Sequence, residues 1–92
     1  MKVIYKYPIH APGHNKIQMP KGYIILKLGY DPNNILCIWA LVNTDNEKED
    51  VVISMVGTGW PLDFENVKAQ YLDTINDGPY VWHGFKVEEN EK

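Results

Sequence analysis

The sequence predicts an all-β domain with at most a minor helical part: a small antiparallel barrel or sandwich of six to seven short strands. Three observations predict it. Short runs rich in Val, Ile, Tyr and Trp recur, separated by Gly, Pro, Asn and Asp. Several runs alternate apolar and polar residues, the period of a half-buried strand. No stretch carries a long helical period. Ninety-two residues make one domain, read as residues 1–87 with a frayed tail over 88–92.

The elements follow in order. "KVIYKYPI" sets Lys2, Ile4 and Lys6 against Val3, Tyr5, Tyr7 and Ile9, and Pro8 closes it. "APGHN" reads as a loop, "KIQM" as a short strand stopped by Pro20, and "PKG" as a turn. "YIILKLGY" aligns Ile24, Leu26, Leu28 and Tyr30 on one face. "DPNN" has the Asp and Pro that a type I turn favours at its first two positions. "ILCIWALV" is apolar on both faces, which fits a central strand or an oligomer contact.

Residues 43–50, "NTDNEKED", read as a polar loop with solvated charges. "VVISMV" is again apolar on both faces. Beyond "GTGWP", residues 62–69 read as one or two helical turns with Asp63 near the start, or as an irregular crossover; the short helix is favoured. "YLDTI" and "YVWHGFKV" form a hairpin around "NDGP".

Composition narrows the function. The formal charge is −3, and all nine basic residues are lysines. Without a basic surplus, DNA or RNA binding is not expected. Any phosphate would be held by lysine, hydroxyls and backbone N–H groups rather than by guanidinium forks. Cys37, the single cysteine, sits in an apolar strand and reads as a small core residue of a reducing compartment. No signal peptide and no apolar run of about 18 residues is present, so a cytoplasmic protein without a membrane association is expected.

No catalytic constellation emerges. The only serine, Ser54, is mid-strand and lacks a G-x-S-x-G elbow. Pro12 and Gly13 separate His10 from His14, so no helix aligns them, and both read as solvated loop histidines. Neither a metal nor a cofactor is expected, and the chain does not read as an enzyme. His83 shares a strand face with Val81, Phe85 and Val87; a hydrogen-bonded core histidine is the commoner outcome there.

Two stretches point to ligand binding. Gly57, Thr58, Gly59 and Trp60 combine a turn that could offer bare N–H groups, a hydroxyl and a flat ring. The opposite face of the last strand carries Tyr80, Trp82 and Lys86 beside Gly84, a set suited to a stacked base and a phosphate. A structural reading stands beside each: a tight turn carrying a core tryptophan, and lateral packing against a neighbouring strand or subunit. Three Trp and six Tyr are many for so small a core, which adds weight to binding beside those structural readings. The candidate ligand set is Gly57, Thr58, Gly59, Trp60, Tyr80, Trp82, Lys86 and Lys6.

"KYPI", "IQMPKGYIIL", "CIWALVN", "VVISMVGTGWP", "YLDTI" and "YVWHGF" together resemble a family of short, mostly phage-encoded proteins, from Lys6 to Phe85. That pattern often has a histidine where this chain has Trp60. The family is in turn similar to phage immune-evasion sponges that bind cyclic dinucleotides made by bacterial CBASS defence. The resemblance implies a homo-oligomer, a tetramer, that sequesters a cyclic dinucleotide or ADP-ribose-type signal in the host cytoplasm without cleaving it. It transfers no ligand residues. The rival readings are a protein-binding inhibitor of a host enzyme, acting through an exposed aromatic patch, and a phosphodiesterase that destroys the signal.

Overall fold

The apolar runs become seven strands in a computed structural model that describes residues 1–62 and 68–88. They are β1 (Lys2–Pro8), β2 (Gly13–Pro20), β3 (Ile24–Tyr30), β4 (Leu36–Asn43), β5 (Lys48–Gly57), β6 (Lys68–Asp77) and β7 (Tyr80–Glu88). All pairings are antiparallel. One sheet has the order β1-β4-β3 and the other β2-β5-β7-β6. The sheets share one core and do not close into a barrel. β4 and β5, apolar on both faces in the sequence, are interior strands, as that pattern requires.

Ile38, Ala40 and Val42 of β4 meet Met19, Ile53, Met55, Ile75 and Trp82 of the second sheet in the core. Each fully buried large aliphatic side chain contributes about 1.5–3 kcal/mol. Gly84 lets the sheets close up: a Cβ there would lie 2.5 Å from Leu28 Cδ2 of the other sheet. Cys37 is also buried and donates its thiol to the Ile35 carbonyl at 3.2 Å. Burial pushes its thiol pKa up, so it stays protonated.

Several expectations are corrected. β2 begins at Gly13, so His14 and Asn15 are strand residues rather than loop residues. A bulge between Ile25 and Lys27 breaks the alternation of β3; Ile24 and Leu26 are exposed while Leu28 is buried. Lys68 and Ala69 lie in β6 and Leu62 is in neither helix nor strand, while the rest of the helical reading, 63–67, lies outside the described residues. The faces of β7 are reversed. Trp82 and Gly84 point into the core, because they stand opposite Gly57 and Met55 of β5; His83 and Phe85 lie on the outer face.

The "DPNN" turn forms around Asp31. Asn34 N–H donates to the Asp31 carbonyl at 2.8 Å. The buried Asp31 carboxylate accepts from Lys6 Nζ at 2.8 Å and from the N–H groups of Asn33 and Ile35, each at 2.9 Å. The Lys6 hydrogen bond and then the Ile35 N–H hold this carboxyl below the usual range. A depressed carboxyl contributes stability that is present above its unfolded pKa and lost as pH falls through the folded one. Asp31→Asn should therefore lower the melting temperature at pH 7, and the gap to wild type should narrow below about pH 4. Melting curves from pH 7 to pH 2 check this; a gap unchanged with pH contradicts it.

Candidate functional site

The Gly57–Trp60 segment leaves β5 where β2 has already departed. The β2 ladder ends at Gly13 opposite Met55, so Val56 and Gly57 have no β2 residue across from them. Trp60 N–H donates to the Gly57 carbonyl at 3.1 Å, closing a four-residue turn. Gly59, at the third position, has φ +84°, the geometry of a type II turn and a strained one for any side chain. This bond turns one of the N–H groups expected for an anion back into the loop.

The turn's two side chains divide between the faces of the sheet. Thr58 Oγ1 hydrogen-bonds to His83 Nε2 at 2.7 Å. His83 Nδ1 lies 3.0 Å from Thr74 Oγ1, which lies 2.6 Å from the Tyr71 hydroxyl. His83 is thus hydrogen-bonded as expected, but to hydroxyls on the outer face. Trp60 turns the other way. Its indole covers Gly57, and it meets the Trp82 ring edge-on, centroids 5.5 Å apart. Tyr80 stacks on Trp82, also at 5.5 Å.

The structure therefore brings Gly57, Thr58, Gly59, Trp60, Tyr80 and Trp82 together at one end of the second sheet. Their exposures differ. Trp82 is 6% exposed and supports the cluster from the core, whereas Trp60 is 47% exposed and Tyr80 is exposed. A substitution at Gly57 tests the arrangement. A Cβ there would lie 2.8 Å from Cε2 and Nε1 of Trp60. Gly57→Ala is expected to displace the indole, changing the near-ultraviolet circular dichroism and costing about 1–3 kcal/mol of stability. An unchanged spectrum contradicts this packing.

The two lysines lie elsewhere. Lys6 is in the other sheet and is paired with Asp31. Lys86 is four residues from Trp82, about 13 Å along β7. Its Nζ lies 3.3 Å from Glu88 Oε2 and 5.3 Å from the centre of the Tyr23 ring. Burial opposes the Lys86 charge, but the Tyr23 hydroxyl and Glu88 outweigh it and hold the pKa above the ordinary lysine value. Lys86 lines a cleft of about 440 Å³ with Lys16, Glu49, Asp50 and Glu88. Three carboxylates against two lysines make that cleft a poor phosphate site.

Trp60 instead borders an open cleft of about 290 Å³, lined also by Pro12, Gly13, His14, Ser54, Met55, Val56 and Pro61. His14 Nδ1 hydrogen-bonds to Ser54 Oγ, its direct partner across the β2–β5 ladder. Sequence reasoning missed this pair, because it is created by strand register and not by spacing. Ser54 is 0% exposed, so the hydroxyl serves His14 and offers no accessible nucleophile.

Among the described residues, no group of three or more His, Cys, Asp or Glu is placed to hold a metal ion. No helix among them is long and apolar enough to cross a membrane. No curated protein and no solved structure matches the chain. Residues 1–92 do match the model of one family, described as a domain of unknown function (DUF7352), and the chain belongs to that family.

Proposed function

We propose that this protein binds a cyclic-nucleotide signal of the CBASS type, or an ADP-ribose-type relative, and sequesters it without cleavage in the cytoplasm of an infected bacterium. The observation that carries the reading is Trp60. A half-exposed indole is fixed by Gly57 and Trp82 at the mouth of a small, mostly apolar cleft. A large flat ring held rigid beside a cavity is suited to stacking a base, at about 1–3 kcal/mol per base. A cyclic dinucleotide presents two bases, and a homo-oligomer would supply one cleft to each across a two-fold axis. Retention without hydrolysis fits a cleft in which Ser54, the hydroxyl among its described lining residues, is fully buried.

The test is a melting experiment with a panel of cyclic dinucleotides and ADP-ribose isomers. A ligand at 100 times its dissociation constant stabilises by about 2.7 kcal/mol, an expected rise on the order of 10 °C for a domain of this size. Heating the complex should then return the nucleotide intact; a cleaved product would identify a phosphodiesterase.

One observation favours a second reading, an inhibitor of a host enzyme. Ile4 and Ile24 flank Leu41 on the outer face of the first sheet, and Ile4, Ile24 and Leu26 are all exposed. An exposed apolar face of this kind marks protein contacts. Under that reading the nucleotide panel leaves the melting temperature unmoved.

A further inference from the structure

We infer that the Trp60 cleft receives a single uncharged planar ring system, the base of the nucleotide, and leaves the phosphates outside in solvent. This rests on the nucleotide reading above and specifies what its site recognises. Four observations carry it.

The first is size. At about 290 Å³ the cleft lies at the lower end of small-molecule sites, near 300 Å³, so one ring system with part of its sugar fits and a whole dinucleotide does not. The second is charge. The described lining residues include no lysine, and the chain has no arginine to lend. A phosphate moved from water into this cleft would find no lysine or arginine among the described lining residues to offset its desolvation.

The third is that two of the turn's groups suited to a phosphate are already engaged. The Thr58 hydroxyl bonds to His83, and Trp60 N–H bonds to the Gly57 carbonyl. The fourth is the strand edge beside the cleft. Val56 lines the cleft at the point where β2 has ended, with no β2 residue opposite it. An edge that no neighbouring strand covers can offer a main-chain donor or acceptor. That is a group a nucleobase edge can match while its face lies against an indole.

Recognition of this kind has a signature that phosphate recognition lacks. The nucleoside should bind nearly as well as the nucleotide, and salt should matter little, because no exposed ion pair is there to be screened.

The experiment is calorimetric titration of the full chain with adenosine, guanosine, cytidine and uridine, with their 5′-monophosphates, and with the corresponding cyclic dinucleotides. The expected result is that at least one nucleoside binds within about tenfold of its monophosphate. Raising salt from about 50 to about 500 mM should change either affinity less than about threefold. Trp60→Leu, which keeps an apolar side chain on an already half-exposed position, should weaken both at least about fivefold.

Binding of phosphorylated ligands with every nucleoside more than about tenfold weaker overturns the inference and leaves the nucleotide reading standing. A salt response steeper than threefold, or a Trp60→Leu protein that binds like wild type, also overturns it. No heat with any of these compounds, nor with the ADP-ribose isomers titrated beside them, removes the nucleotide reading itself, and the inference with it.

Discussion

Gly84→Val is expected to lower the melting temperature by roughly 5–20 °C, the consequence of about 1–3 kcal/mol of overpacking in a domain of this size. The position looks unremarkable in "VWHGFKV", yet it faces a side chain of the other sheet at close range. A Cβ at Gly84 would lie 2.5 Å from Leu28 Cδ2 and 3.0 Å from Met55 Sδ. Leu28 is 2% exposed and Met55 1% exposed, so neither side chain has solvent to move into. Valine adds two further methyl groups, and the sheets must separate or the side chains must leave their rotamers. Combining Gly84→Val with Leu28→Ala should cost less than the two single changes added together, because the smaller side chain vacates the contested space. Thermal unfolding of the four proteins checks both points. An unchanged melting temperature for Gly84→Val, or simple additivity, contradicts this account of the sheet contact.

Trp60→Ala should separate binding from folding. Loss of one base stack corresponds to about 1–3 kcal/mol, a fall in nucleotide affinity of about fivefold to more than a hundredfold. The fold should lose far less. Trp60 is half-exposed and sits on Gly57 at the rim, so only its edge contact with Trp82 and a partial burial disappear. Trp82→Ala is the informative contrast. That ring belongs to the core, meets Trp60 edge-on and stacks with Tyr80, so its truncation should cost about 3–5 kcal/mol. Melting curves and titrations on the two variants decide the assignment. If Trp60→Ala unfolds the domain and Trp82→Ala spares it, the roles given to the two indoles are reversed.

The fold was legible where both faces of a strand agreed with its place in the sheet. "ILCIWALV" and "VVISMV" are apolar on both faces, and both became interior strands. "NDGP" joined its hairpin as expected, with Asp77 opposite Tyr80 and only Gly78 and Pro79 between them. β7 was misread for a specific reason. It carries apolar residues on both faces, so a period of two cannot say which side is buried. The deciding signal was Gly84, a residue without a side chain where another sheet must approach closely. β3 was misread because one extra residue, at the bulge around Leu26, moves the following positions out of the simple alternation.

The candidate site was legible in part, and for a related reason. Residues close in sequence, Gly57 to Trp60, stayed together because a turn is local. Tyr80 and Trp82 joined them because the register of β5 and β7 puts Trp82 opposite Gly57. Lys6 had only its charge to place it, which carries no register, and Lys86 shares a strand face with Trp82 but lies four residues along it. One is paired with Asp31, and the other with Glu88 and Tyr23. His14 became a cleft residue only because β2 starts three residues before Lys16, bringing His14 across from Ser54.

The central claim is that a nucleotide sits in the cleft beside Trp60. Nuclear magnetic resonance of the isotopically labelled protein, titrated with the cyclic dinucleotide that raises its melting temperature most, tests it directly. The account predicts shifts concentrated on the Trp60 indole N–H, His14, Val56 and the Gly57–Gly59 amides, with Trp39 and Leu41 unmoved. Shifts confined to the outer face of the first sheet, or none with any cyclic or ADP-ribose-type nucleotide, would contradict it.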